Sequence, residues 1–329
     1  MSTQYYSQVF HRDGDPYTYL WVGGQWFCYN PNEQPLGEGA MGTVYLGFSC
    51  TDNQRIAVKR VRDQYANIPV IRQRAHQEAS LSSLSHPNLV KMIGLCEYEP
   101  DHGPIFILSG YVSGITLDKH VKTQLSSLSA EERMEKISLE MCNVLDALQY
   151  LHSHGVLHRD IKPANIMIEN GKTVKLMDLG IARLNGGNRY STIGFIGTPQ
   201  YAAPEQILSE DNHSELTKRT DIYSVGVTFY ELLTGVNPFM SDIEADVLAR
   251  QVSKSLPYDK TIPRSLFKVI RKATEKDPQK RYATALEFKM AIMEALRYNP
   301  RTWSTWLTWM LYVLGVLAVL AIVILILIY

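Results

Sequence analysis

Apolar and polar positions change rhythm along this chain, from short strand-like runs in the first hundred residues to a three-and-four spacing after residue 129. Residues 17–22 and 25–30 are aromatic-rich runs around Gly23-Gly24, a pattern that predicts a hairpin. Leu36-Gly37-Glu38-Gly39-Ala40-Met41-Gly42-Thr43-Val44-Tyr45 comes next, followed by a β-branched run around Ile56-Ala57-Val58-Lys59. The order predicted is strand, glycine turn, strand, strand. Pro31 and Pro35 fall where the first of these strands belongs, and proline removes ladder donors, so that strand is expected to be irregular. Good helix formers fill 71–84, and His86-Pro87-Asn88 stops them because the residue before proline avoids helical dihedrals. Residues 105–112 return to a strand pattern, broken by Ser113-Gly114.

From Ser129 onward the texture is helical. Residues 130–152 place Ile137, Met141, Val144, Leu145, Leu148 and Leu151 three and four apart, an apolar stripe suited to the inside of a helical lobe and bearing no residue that looks chemical. Residues 223–233, 266–275 and 283–296 read the same way, and there is no internal repeat or low-complexity linker. Strands first and helices after predict an α+β fold of two lobes.

The end of the chain departs from this texture. No charged residue follows Arg301, and 311–328 is almost entirely aliphatic. Residues 306–329 would reach about 36 Å as a helix, enough to cross a hydrocarbon core of about 30 Å. Trp303, Trp306, Trp309 and Tyr312 recur at three-residue spacing, as in an interfacial aromatic belt, and Lys289, Arg297 and Arg301 precede it. A single-pass C-terminal transmembrane helix is expected, with positive charge keeping the preceding unit cytoplasmic. The N-terminus shows no basic segment followed by an apolar run, so no signal peptide is expected.

Thirty-three basic residues balance thirty-three acidic ones, which excludes a net field that would steer the protein to nucleic acid. Cys28, Cys50, Cys96 and Cys142 lack CxxC spacing, so neither a zinc site nor a disulfide framework is expected, and buried thiols are.

The candidate chemistry is ordered along the chain. Gly37, Gly39 and Gly42 form G-x-G-x-x-G, lacking side chains that would block a backbone approaching phosphates. Lys59 projects from a β-branched strand 17 residues later, where a charge needs an anionic partner. His158-Arg159-Asp160 with Lys162 and Asn165 then places a carboxylate, an ammonium and a metal-ligating amide within a few residues, and Asp178-Leu179-Gly180 adds a second carboxylate. An earlier His11-Arg12-Asp13 repeats the first string, but Gly14 follows and no lysine or asparagine stands at the matching offset; a surface turn is expected there.

Taken together, these residues resemble the eukaryotic-type, or Hanks-type, protein kinase family from about residue 36 to about 296, and the wording of Gly39-Ala40-Met41-Gly42 and of 161–167 resembles bacterial membrane-anchored members. The resemblance implies the two-lobed kinase fold over 31–297, with lobes at about 31–112 and 113–297. Residues 1–30 form an N-terminal extension, 298–305 a juxtamembrane segment and 306–329 the membrane span. It also implies a reaction, transfer of the γ-phosphoryl group of ATP to protein hydroxyls with Mg²⁺ (Mn²⁺ admissible). In the roles so implied, Asp160 is the catalytic base, Lys162 the stabiliser of transferred charge, Lys59 the ligand of the α- and β-phosphates, and Glu78 the helix carboxylate that holds Lys59. Asn165 and Asp178 would be the metal ligands. Leu36, Gly37, Glu38, Gly39, Ala40, Met41, Gly42, Thr43 and Val44 would cover the nucleotide, and Ser109, Tyr111 and Val112 would line the adenine site. Ser109 falls at the position guarding the back of that site, where so small a residue implies a roomy pocket.

Lys162 two residues past Asp160, and Gly197-Thr198-Pro199-Gln200-Tyr201 before Ala203-Pro204-Glu205, resemble the Ser/Thr form. Asp221 resembles the aspartate that braces the catalytic loop, and Arg281 the arginine that pairs with Glu205. Arg159 beside Asp160 implies control by phosphate on the activation segment, with Ser191, Thr192 and Thr198 as candidate autophosphorylation sites; Thr198 also matches a residue that contacts Asp160 and Lys162. Two departures stand out: Leu179 replaces the usual phenylalanine, and Glu78 lies one residue nearer His86 than in many relatives. The competing reading is a membrane-tethered pseudokinase scaffold, but such proteins usually lack the counterparts of Lys59, Asp160 or Asp178. Expected partners are ATP, Ser/Thr protein substrates and a membrane, but no nucleic acid; homodimer formation is left open. Bacterial members often carry an external sensor after the membrane helix, and none is expected within these residues.

Overall fold

The computed structural model describes residues 9–39, 42–98, 103–178, 190–191, 194–195, 198–208 and 216–297. Its first half is an antiparallel sheet. Strands β1 (Val9–His11), β2 (Thr18–Val22), β3 (Gln25–Tyr29), β4 (Gly37–Glu38), β5 (Gly42–Ser49), β6 (Arg55–Val61), β7 (Met92–Glu97) and β8 (Ile105–Gly110) are ordered β1-β2-β3-β5-β6-β8-β7, with β4 also paired to β5. The β2–β3 hairpin turns on Gly23 (φ +58°) and Gly24 (φ +86°), and a two-residue turn matching strand twist needs positive φ at both central positions. His11-Arg12-Asp13 leaves β1 into a turn closed by Asp15 N–H on the Arg12 carbonyl, with Gly14 at φ +78°.

β3 and β4 serve the same edge of β5. Phe27, Cys28 and Tyr29 pair with Ser49, Phe48 and Gly47, whereas Gly37 and Glu38 pair with Val44 and Thr43. Between them the chain leaves the ladder over 30–35, the stretch that contains Pro31 and Pro35. Strands β1 to β3, within residues 9–29, are thus hydrogen-bonded into the central sheet.

That sheet is covered on both faces. Ile105, Phe106, Ile107 and Leu108 are all buried, although alternate side chains point to opposite faces. Ile105 and Ile107 join Val61, Met92, Ile71 and Ala75 in the core shared with α2 (Pro69–Ser80), which follows the short α1 (Asp63–Ala66). Phe106 and Leu108 join Leu20, Val22, Phe27, Tyr29, Ile56, Val58 and Cys96 in a second core on the other face. Val22 of β2 lies over Gly94 of β7, where an added Cβ would come within 2.6 Å of Val22 Cγ1, so the sheet curls over that core.

All four cysteines are free, but only Cys96 and Cys142 are buried; Cys50 is exposed and Cys28 is half-buried. The strand register brings Cys28 and Cys50 together across β3 and β5, and burial first, then the Cys50 thiol, push Cys28 up to about 12.

The second half is helical: α3 (Leu117–Thr123), α4 (Ala130–Ser153), α5 (Pro204–Leu208), α6 (Lys218–Thr234), α7 (Glu244–Ser253), α8 (Arg264–Ala273) and α9 (Ala285–Arg297). A three-stranded sheet of β9 (Gly114–Thr116), β10 (Ile166–Glu169) and β11 (Thr173–Leu176) sits beside them. α4 starts on a capping box, Ser129 with Glu132, and its stripe from Ile137 to Leu151 is buried. α6 is buried along most of its length, packs against α4 and α8, and ends on Gly235 at φ +79°, the left-handed cap that glycine tolerates. Among the described residues no helix is long and apolar enough to cross a membrane, and the expected span at 306–329, with its juxtamembrane segment, lies outside them.

Candidate active site

The site forms where the sheet meets the helical half. β4 and β5 fold back on each other around the glycine turn, with Leu36 N–H on the Val44 carbonyl at 2.8 Å and Gly39 N–H on the Gly42 carbonyl at 2.9 Å. The three glycines have different reasons to be there. A Cβ at Gly42 would lie 2.4 Å from the Arg60 carbonyl oxygen, so the neighbouring strand alone demands glycine there. A Cβ at Gly37 would meet nothing within 4 Å, and at Gly39 only the Gly42 carbonyl at 3.8 Å. The open backbone suited to phosphate is therefore at 37 and 39. Thr43 and Val44 continue into β5, and Ala40 and Met41 lie outside the described residues.

Lys59 sits in β6 opposite Val44 and Ile107. Its ammonium reaches Asp178 Oδ1 at 3.3 Å, the link between the sheet and the segment after β11. Glu78 stands in the last turn of α2, but its side chain lies outside the described residues. Two positions further along the same face of the sheet, Ser109 pairs with Ala57 and with Met92 and is only half-buried. Past it, Gly110 N–H bonds the Lys91 carbonyl, Tyr111 lies under the Arg55 guanidinium at 4.8 Å, and Val112 is buried.

Two side chains, Lys162 and Asn165, converge on the Asp160 carboxylate. Lys162 Nζ lies 2.9 Å from Asp160 Oδ2 and donates to Thr198 Oγ1 at 2.6 Å, so one ammonium bridges the carboxylate and the segment ahead of α5. Asn165 Nδ2 donates to the Asp160 carbonyl at 2.8 Å and to Asp160 Oδ2 at 3.0 Å, which turns the amide oxygen away from Asp160. Met177 N–H bonds the Asn165 carbonyl at 2.8 Å, and this brings Asp178 alongside Asn165. An amide oxygen and a half-exposed carboxylate, with an ammonium next to them, are hard donors that fit Mg²⁺ carried on a polyphosphate. Among the described residues no group of three or more His, Cys, Asp or Glu is placed to hold a metal ion, so a metal here would need oxygen ligands from the nucleotide as well.

The loop is held in a backbone conformation it would not adopt alone. Arg159 (φ +66°) and Asp178 (φ +43°) are both left-handed, a region that costs a non-glycine residue about 1–3 kcal/mol. Asp221, fully buried in the first turn of α6, accepts from the N–H groups of His158 at 2.9 Å and Arg159 at 2.7 Å and from His152 Nε2 at 2.7 Å. Burial alone would raise this carboxyl, but the His152 hydrogen bond, the two histidines and the Arg159 N–H outweigh it and hold it below the usual carboxylate value. His158 is also fully buried, and burial pushes its imidazole below the ordinary value. Nε2–H then donates to the Met177 carbonyl at 2.9 Å, leaving Nδ1 to face the Asp160 N–H at 3.4 Å. Arg281 and Glu205 form a buried bidentate pair at 2.7 and 2.8 Å, which Thr220 supports. The sequence pattern pointed to Asp221 and Arg281; it gave no sign of His152, which lies at the end of α4 beyond the apolar stripe.

Of the candidate modification sites, Ser191 pairs with Gly194 in a two-residue ladder, Thr192 lies outside the described residues, and Thr198 is engaged by Lys162. Leu179 and Gly180 also lie outside them.

Comparison with known proteins agrees with this geometry. The protein kinase domain family matches residues 31–295. The serine/threonine-protein kinase PknB of Mycolicibacterium smegmatis is 36% identical over 267 residues, covering 78% of this chain and 41% of that protein. PknB of Mycobacterium tuberculosis is 34% identical over 274 residues, covering 80% and 42%, and a probable PknB of Lactococcus lactis is 33% identical over 259, covering 77% and 39%. The chain thus spans about two-fifths of the length of these curated relatives. The crystal structure of the Mycobacterium tuberculosis PknI kinase domain superposes with a TM-score of 0.59 over 83% of this chain and 97% of that one; at 23% identity this shows the two-lobed fold. By family match and by relatives, the chain belongs to the protein kinase family, in its bacterial Hanks-type Ser/Thr branch.

Proposed function

We propose that this chain transfers the γ-phosphoryl group of ATP to Ser and Thr hydroxyls of proteins, that it autophosphorylates on its activation segment, and that residues 306–329 anchor it in a membrane with the catalytic unit on the cytoplasmic side. The observation that carries the reaction is the convergence of Lys162 and Asn165 on the Asp160 carboxylate, with the same Lys162 ammonium held by Thr198. Asp160 accepts the acceptor hydroxyl's proton as its oxygen bonds to phosphorus and the bond to the β-phosphate oxygen breaks. Lys162, already poised between Asp160 and Thr198, sets positive charge beside the oxygens that carry the transferring charge. Lys59 orients the α- and β-phosphates, while Asn165 and Asp178 would hold Mg²⁺, which would supply neutralisation of the phosphate charge. Retention of all these groups favours a catalyst over a scaffold.

The test measures ATP- and Mg²⁺-dependent phosphate incorporation into mixed protein substrates, and into the chain itself, by wild type and by Asp160→Asn. Incorporation is expected from wild type alone; equal incorporation from both would refute the assignment. Membrane attachment is tested by removing 303–329, which should leave incorporation intact and move the protein to the soluble fraction. Retention of the truncated chain in the membrane fraction would refute the anchor.

A further inference from the structure

Deep in the helical half, a chain of polar groups runs from α8 to the loop that follows Thr198. Tyr223 of α6 and Gln251 of α7 are both fully buried. Lys276, just beyond α8, directs its ammonium to Tyr223 Oη at 2.6 Å and to the Gln251 backbone carbonyl at 2.7 Å, over the rings of Phe239 at 4.4 Å and Tyr223 at 5.0 Å. Tyr223 donates to Gln251 Oε1 at 2.5 Å. Gln251 Nε2 donates to the carbonyls of Pro199 and Gln200, at 3.3 and 2.5 Å.

Donor chemistry gives this chain one direction. An ammonium can only donate, so Tyr223 Oη accepts from Lys276 and its single proton goes to Gln251 Oε1. With its oxygen taken, the Gln251 amide can present only its NH₂ group to the two carbonyls. These carbonyls belong to the turn Pro199–Tyr201, which starts at Thr198, the partner of Lys162. We propose that Gln251, oriented by Tyr223 and Lys276, is a positioning residue for the acceptor peptide, fixing the turn at 199–201 and through it the Thr198 hydroxyl on Lys162. The inference rests on the kinase reading and adds a determinant of how the acceptor substrate binds.

The electrostatic setting makes the chain sensitive to pH. Burial, then the Arg281 guanidinium, push Lys276 down to about 7, against Glu275, which raises it. Burial keeps Tyr223 a neutral phenol; Arg281 also lies over its ring, at 4.8 Å, and is itself paired with Glu205. Once Lys276 loses its charge, its nitrogen can accept the Tyr223 proton, and Gln251 is freed to turn.

The full-length protein tests this with three forms: wild type, Gln251→Glu and Lys276→Met. Glutamate preserves size and the bond from Tyr223 but cannot donate to the two carbonyls. KM for an acceptor peptide at pH 6.5 should rise about tenfold in Gln251→Glu, as expected for two lost hydrogen bonds. KM for ATP should stay within twofold. In wild type the peptide KM should rise between pH 6 and 8, whereas in Lys276→Met it should be raised and flat across that range. Amide exchange over 199–203 should accelerate in both variants, a readout that needs no activity. A peptide KM in Gln251→Glu within twofold of wild type, unchanged exchange, or an equal rise in the KM for ATP would overturn the proposal. Wild type that phosphorylates no protein or peptide would instead overturn the kinase reading, and exchange would still decide the role of Gln251.

Discussion

The brace at Asp221 gives the most direct test of how this loop is held. In Asp221→Asn the amide oxygen can still accept the Arg159 N–H, but an NH₂ group then faces the His158 N–H, which is left buried without an acceptor. His152 can adapt by tautomer: its Nδ1 is buried without a hydrogen-bond partner among the described residues, so the proton can move there and Nε2 can accept from the new amide. The loss is therefore one charge-assisted bond with its stranded donor, plus the weakening of a second from charged to neutral. At about 1.5–3 kcal/mol for a bond to a charged acceptor and ~1 kcal/mol for a neutral one, the sum is about 3 kcal/mol. At roughly 2–4 °C per kcal/mol for a domain of this size, the melting temperature should fall by about 6–12 °C. Arg159 should then relax from φ +66° and carry the adjacent Asp160 with it. Misplacement near 1 Å lowers turnover about 100-fold, so kcat should fall by that order. The assay pairs a thermal melt with single-turnover phosphoryl transfer. A melting temperature within about 2 °C of wild type together with kcat within threefold would refute the brace.

Two further predictions concern pocket size and acid stability. Ser109→Phe should raise the inhibitory concentration of an ATP analogue carrying a bulky substituent on adenine by about tenfold or more, of the order expected when a filled pocket loses 1–3 kcal/mol, with the KM for ATP within threefold; equal inhibition of both forms would show that the space beside Ser109 is not reached. His158 is neutral when folded, whereas the unfolded chain gains a proton near pH 6.5, so stability should decline as pH falls below about 6.5 and stop declining at the lower folded value. Asp221 adds a second loss below about pH 4, where the unfolded carboxyl protonates before the folded one. Melts recorded from pH 8 to pH 3 test both, and a flat melting temperature between pH 7 and pH 5 would contradict the burial of a neutral His158.

What could be read from the sequence was what local chemistry constrains. Gly23-Gly24 fixed a turn because both positions need positive φ, and the α4 stripe was legible because apolar spacing is a property of one helix. Tertiary registers were not legible. The second core exists because β2 folds over β7, and nothing within residues 18–22 tells which face of which strand Leu20 and Val22 will meet. The contact of Cys28 with Cys50 depends on the β3–β5 register rather than on cysteine spacing. Gly42 belongs to a phosphate-binding motif, yet its need for glycine comes from the Arg60 carbonyl. α7 escaped notice because only Val247 and Gln251 are buried in it, too few for a stripe, and a lone glutamine in such a helix reads as surface.

The same contrast separates the reaction from its substrate. Asp160, Lys162 and Asn165 lie within six residues, so one short loop fixes their identities and a string suffices to recognise the chemistry. The proposed acceptor side draws on Thr198, Gln200, Tyr223, Gln251 and Lys276, which come from four separate stretches and meet only after α6, α7 and α8 have packed. Gln251 and Lys276 belong to none of the contiguous motifs, so they can vary without breaking one, provided the chain of donors still ends on the carbonyls of 199 and 200. In the proposed reading, the transfer half of the site is set by local geometry within one loop, while the half that would receive the peptide is set at a distance, through the packing of α6, α7 and α8.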